Sequence, residues 1–243
     1  MSEAAEAEPP PGFLARLGGL YLTPGETMRG LARSPTFWAP LLAFVALGGA
    51  FNAVWLRAID PAEFARAQIE DSPLAERLSS QDRAEGIAQQ ARVFPLRSWL
   101  GPLVFSPLSL ALVAAVYLVV FRFFYGGVLS FGQSLSIVAW TYLAVFLVTM
   151  PLTLLVLYLK QDWNVDPPTA LQANLSLLVD KGSVPRAVYS LAESLDLFSA
   201  WMLALLSIGF AAAVGLRAGR AAIGVVAVWA LYVLGKAALA AVF

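Results

Sequence analysis

Leu20-Tyr-Leu-Thr-Pro-Gly-Glu-Thr-Met-Arg-Gly-Leu-Ala-Arg-Ser-Pro35 is where the chain changes character. Ahead of it stands the acidic, Pro-rich opening MSEAAEAEPPPG; behind it the composition becomes that of a membrane. The run holds two helix starts. Thr23 is an N-cap candidate with Pro24 at the first helical position, and Ser34 with Pro35 repeats the arrangement. The spacing predicts a short helix over about residues 24–33. It then predicts an apolar segment, launched at Pro35, long enough to cross a bilayer.

Composition agrees. Of 243 residues 59% are hydrophobic and only 13% charged, against roughly 25% charged in soluble domains, and mean hydropathy is +0.73. Net charge is zero, so nucleic acid is not an expected partner. Cys and His are absent. That excludes disulfides, thiol nucleophiles, Cys/His zinc sites and imidazole acid–base chemistry together. No cofactor or metal is expected, and no enzyme. No cleavable signal precedes the first apolar span. Basic residues are nearly all Arg, and Ala is abundant, which points to a GC-rich bacterial genome.

Residues 1–12 read as a disordered tail. Residues 13–34 read as cytoplasmic or interfacial amphipathic helices. Phe13, Leu14, Leu17, Leu20 and Tyr21 fall on one helical face with Arg16 opposite, so the helix is expected in the interface or packed beneath the bundle. A five-span membrane domain follows over 35–243, all-α, with spans at about 35–56, 100–121, 134–159, 197–216 and 221–243.

A polar insert, 57–98, separates the first two spans. Asp60-Pro61 starts one helix carrying Phe64, Ala65 and Ile69 on one side, and Ser79-Ser-Gln-Asp82 opens another. Its mixed charges predict a solvated hairpin laced by weak ion pairs. The insert at 160–196 is less polar. Asp166-Pro167 is expected to start a helix with Leu171, Leu175 and Leu178 on one face, and Ser183 with Pro185 another running straight into the fourth span. Spans two and three, joined by a very short link, should form a hairpin.

Orientation follows from the short loops. Arg217 and Arg220 in one turn and Arg122 beside another, both without acids, lie on the side of Arg16, Arg29 and Arg33. The N-terminus is expected in the cytoplasm and the C-terminus outside, in a bacterial inner membrane.

Few polar groups fall within the spans, where each is expensive. Asn52 fits an inter-helix hydrogen bond, and Gln133 heads span three. Lys236 in the fifth span has Glu193 and Asp196 as natural partners. A snorkelling or structural ion pair and a substrate or proton role are the two readings. Pro151 is expected to kink span three, as a structural bend or a gate hinge. Ala211, Gly215 and Gly219 recur every fourth residue, and Gly224 and Gly235 continue the small-residue surface. It fits packing of spans four and five, or an oligomer interface.

With the spans placed, the chain resembles the bacterial branch of the Yip (Ypt/Rab-interacting protein) domain family. The residues that carry it are Thr23-Pro24-Gly25-Glu26-Thr27 leading into span one, Gly126-Gly127 with Phe131, Gln133 and Ser136-Ile-Val-Ala139, and Leu195-Asp-Leu-Phe-Ser-Ala-Trp201 leading to Ile208-Gly209. A Pro expected early in span three is missing, and Pro151 comes later. The resemblance implies five spans with a cytoplasmic N-terminus. Eukaryotic relatives engage prenylated Rab-type GTPases. No GTPase-binding signature is present here, so that activity is not carried over. The expected function is a non-enzymatic membrane protein that binds or organises membrane components, other membrane proteins or copies of itself in the lipid bilayer. The alternative is a transporter or permease-like protein for a small solute. A transporter requires Asn52, Gln133 and Lys236 to converge on a polar cavity.

Overall fold

The computed structural model describes residues 11–70, 72, 77–171, 173–179 and 182–242. Most of the expected tail lies outside these residues, as do Asp71, Glu76, Asp180 and Lys181 of the two inserts and the terminal Phe243. The described chain is all-helical apart from one isolated antiparallel bridge, Asn174 to Asp196. Two short helices come first, α1 (Phe13–Leu22) and α2 (Pro24–Arg33), and the first span is α3 (Trp38–Ala58). The polar insert forms α4 (Pro61–Glu70) and α5 (Ser80–Arg97). A π-helical turn, Gly101–Phe105, leads into α6 (Ser106–Phe123), followed by α7 (Phe131–Lys160). After α8 (Pro167–Ala170), a 3-10 turn (Leu175–Leu178) and α9 (Arg186–Ser194), the chain ends in α10 (Leu197–Val214) and α11 (Ala218–Val242). Five helices are long and apolar enough to cross a membrane.

The central helix is α7. Its 30 residues make ~45 Å, well beyond the ~30 Å of a hydrocarbon core. It begins at Phe131, earlier than expected, because Ser130 and Gln133 form a capping box: Ser130 Oγ accepts from Gln133 N at 3.2 Å and Gln133 Oε1 from Ser130 N at 2.9 Å. Pro151 does not end it. The helix runs on to Lys160 although the proline removes one ladder donor.

Neighbours are fixed by specific contacts. α3 runs parallel to α7, with the Phe44 and Phe146 rings 4.9 Å apart and Trp55 and Leu157 sharing a cluster further on. α6 runs antiparallel, the Ser134 hydroxyl donating to the Ala114 carbonyl at 2.7 Å. Gly127 in the α6–α7 link packs against Val214 at the end of α10. The two Arg-bearing turns therefore share one end of the bundle, and α4–α5 with α8–α9 sit at the other. Trp55, Phe64 and Phe94 join α4 and α5 to α3, with ring centroids 4.8–5.6 Å apart.

Four local expectations are corrected. Ser34 does not cap the first span. It closes α2, and α3 starts at Trp38, because the intervening Thr36 is held in extended chain by α7. Leu171, Leu175 and Leu178 share no helix. Asn174 caps a separate 3-10 turn, and the bridge from Leu175 N to Leu195 O (3.1 Å) pulls the segment out of helical geometry. α9 does not run into α10, since Asp196 interrupts and caps the later helix. Finally, Arg16 does not lie opposite the packed face of α1 but is buried beside it. Arg16 is 7% exposed and Leu20 1%, whereas Leu14 is 77% exposed and Leu22 83%. Phe13, Leu17, Leu20 and Tyr21 pack inward as their spacing predicts, and the cation also finds its acceptors inside the protein.

The burial of Arg16 follows from where α1 and α2 lie. They pack side by side as an antiparallel pair; a Cβ on Gly19 would overlap the Thr27 hydroxyl. The pair leans on α7 and α10, with Leu20, Met28 and Leu31 buried in the main core beside Ile137, Leu205 and Phe210. Tyr21, near its tip, donates to the Ala144 carbonyl at 2.8 Å and sits 5.7 Å from the Trp201 ring. Both partners lie thirteen residues from the near ends of their helices, Phe131 and Val214. At 1.5 Å per residue that is ~20 Å along the bundle. The opening run forms part of a hairpin set between spans.

Candidate functional site

Two sets of polar residues stand out, one at each end of the bundle. At the arginine-bearing end, the 34–37 linker is tied to α7. Thr36 N donates to Ser136 Oγ at 3.2 Å, and Ser136 Oγ donates back to the Thr36 carbonyl at 3.2 Å. Trp140 Nε1 donates to the same carbonyl at 2.8 Å. Arg16 reaches across from α1 to Thr36 Oγ1 at 2.6 Å, to the Pro11 carbonyl at 2.9 Å and to the Ser34 carbonyl at 3.4 Å. Gln133, besides capping α7, donates from Nε2 to the Ala32 carbonyl at 2.8 Å, satisfying one of the free carbonyls at the end of α2.

At the opposite end α3, α7, α8, α9 and α10 line an open pocket of about 340 Å³. Its wall is apolar on one side, with Phe51, Phe146, Met150 and Phe198, and polar on the other, with Asn174, Glu193 and Asp196. Thr149 and Thr153 of α7 face it on either side of Pro151. Thr153 Oγ1 is engaged with the Thr149 carbonyl at 2.9 Å, a local back-bond beside the proline. Asp166 precedes Pro167 at the start of α8, where burial holds its carboxyl above the ordinary aspartate range.

The acids of this end do different things. Asp196 caps α10: Oδ1 accepts from Phe198 N at 2.8 Å and Ser199 N at 2.9 Å, and Oδ2 takes the Ser199 hydroxyl. Glu193 Oε2 stands 3.7 Å from Lys236 Nζ, the two side chains 33% and 42% exposed. Asn52 lies apart from both, buried, donating to Ser98 Oγ at 3.3 Å. Gln133 is near the far end of α7. The polar positions inside the spans are thus distributed among separate contacts and do not meet on one cavity.

The small residues divide as well. Ala211 is buried in the core. Gly224 meets the Tyr125 ring, where a Cβ would fall 2.9 Å from it. Gly215 has φ +70° and forms the left-handed C-cap of α10, so it terminates a helix there. Gly219 and Gly235 face open space. α2, α7 and α10 approach closely at Gly209, where a Cβ would lie 2.5 Å from Ile137 Cγ2 and 3.0 Å from Met28 Sδ.

Arg16, Thr36 and Trp140 carry much of the geometry, and periodicity alone does not single them out. The available signal was a charge and two hydrogen-bonding side chains beside an apolar run, where unpartnered polar groups are costly. Gln133, Ser136 and Gly209, all within the stretches that resemble the Yip family, turn out to join the hairpin to α7 and α10. No curated protein and no solved structure matches the chain. The Yip1 domain does, over residues 18–239, from the middle of α1 almost to the end of α11. On that match and five membrane-length helices, the chain is a multi-pass membrane protein belonging to the Yip1 domain family.

Proposed function

We propose that this protein is a non-enzymatic factor of the bacterial branch of its family, which binds or organises other components of the inner membrane. One observation carries the reading. Asn52, Gln133 and Lys236 are each engaged locally, with Ser98, Ala32 and Glu193 respectively. A transporter needs those groups on a continuous polar path. Apolar side chains meanwhile cover the outer faces of α6 and α11, including Leu108, Leu112, Ile223, Leu231 and Leu239, a surface suited to lipid and to neighbouring helices. The arginines of the α6–α7 and α10–α11 turns support a cytoplasmic N-terminus and an outer C-terminus.

The test is affinity capture of the full chain from native membranes in mild detergent, with identification of what co-purifies. A membrane protein or a second copy of the chain recovered in fixed ratio is the expected result. Recovery of the chain alone, with lipid but no protein, would overturn the partner-binding part. A reporter fused at residue 80 should read as outside; a cytoplasmic signal reverses the orientation.

The second reading, a small-solute transporter, rests on the cavity beside Pro151 with Glu193 on its wall. Proteoliposome flux of a cationic solute, lost in Glu193→Gln, would favour it over the first.

A further inference from the structure

We infer that the groove between α1 and α2 binds the phosphodiester headgroup of an anionic phospholipid. The groove has a volume of about 510 Å³ and is lined by Arg16, Thr23, Glu26, Thr27, Arg33 and backbone of both helices. Arg16 is the anomaly in it. The residue is 7% exposed, and its side-chain hydrogen bonds go to two carbonyls and one hydroxyl, all neutral. Among the described residues no carboxylate lies within 4 Å of it. A buried cation without an anion is a costly arrangement, and a phosphate placed in the groove supplies the missing charge. Guanidinium groups favour phosphate because their donors form a planar fork.

Arg33, four residues from the α7-bound linker residue Phe37, brings a second positive charge to the same wall. The one acid, Glu26, lies seven residues earlier on α2, ~10 Å along the helix, so it does not neutralise that end. Gln133 fixes the Ala32 carbonyl next to Arg33 and is itself in the first turn of α7. The basic end of the groove is therefore level with the end of the bundle that carries Arg122, Arg217 and Arg220.

The outer surface of α1 distinguishes a lipid from a free anion. Leu14 and Leu22 are exposed on it, and Leu22 lies at the tip, ~12 Å further along the helix. A phospholipid seated with its phosphate at Arg16 and Arg33 has its acyl chains alongside these leucines. Inorganic phosphate makes no use of them.

The full chain in detergent, titrated with phosphatidylglycerol or phosphatidylcholine and read by native mass spectrometry, tests the assignment. Phosphatidylglycerol is expected to remain bound preferentially, with affinity falling at least fivefold in Arg33→Gln and in Arg16→Gln. Arg29→Gln, which is outside the groove, should leave it unchanged. Arg33 is exposed and makes no structural contact, so that variant reports on binding even if Arg16→Gln fails to fold. Wild-type affinity in Arg33→Gln, equal losses in Arg29→Gln, or no preference for the anionic lipid would overturn the proposal. Inorganic phosphate alone should not raise the unfolding temperature; a shift that Arg33→Gln abolishes would show a free-anion site and overturn the lipid.

Discussion

Ser136 and Thr36 exchange two hydrogen bonds, hydroxyl to carbonyl and amide to hydroxyl, both 3.2 Å long. The first side chain is fully buried in α7; the second residue belongs to the four-residue linker that separates α2 from the first span. This exchange fixes where the hairpin ends and the span begins. Ser136→Ala removes both bonds and leaves the Thr36 amide without its partner. It should lower stability by about 1–3 kcal/mol, measured by equilibrium unfolding in mixed micelles. Hydrogen exchange should rise first in residues 34–37.

Close packing at Gly209 sets the second expectation. A Cβ there meets Ile137 and Met28 from two different helices. Gly209→Ala should destabilise by roughly 1–3 kcal/mol through overpacking. Gly235→Ala faces open space and should be neutral or stabilising, because alanine is favoured over glycine in a helix by ~1 kcal/mol. Equal effects at the two sites would contradict the helix arrangement.

Asp196 anchors the start of α10 through two backbone amides and the Ser199 hydroxyl. Asp196→Ala should cost about 1–2 kcal/mol, and Asp196→Asn much less, since an amide oxygen still accepts from the helix. Unfolding of the two variants under one detergent condition checks this.

The Lys236–Glu193 pair is half-exposed and 3.7 Å long. A double-mutant cycle with Lys236→Met and Glu193→Gln should give a coupling below about 1 kcal/mol, declining with salt. A much larger coupling would mean that the pair is sealed from solvent in the assembled membrane protein.

The sequence by itself determined the five spans, since length and hydropathy suffice when the solvent on most faces is hydrocarbon. It also located the Pro24 and Pro61 helix starts and the Ser79 cap, which depend on groups only a few residues apart. The first span's start at Pro35 was misplaced because a long-range constraint governs it: Thr36 bonds with Ser136, one hundred residues away. α1 departs from its pattern chiefly at Arg16. Phe13, Leu17, Leu20 and Tyr21 face the protein as their spacing predicts, whereas Arg16 turns inward with them and Leu14 outward. The candidate polar residues were legible by type, because a polar group in a span always needs an explanation. Their roles were not, because each partner comes from another part of the chain: Ala32 for Gln133, Ser98 for Asn52, Glu193 for Lys236. Only the tertiary structure turned the opening run from a marker of the membrane's edge into a hairpin between spans. Burying a guanidinium requires acceptors from Pro11, ahead of α1, and from Ser34 and Thr36 of the linker to converge, and no local pattern encodes that convergence.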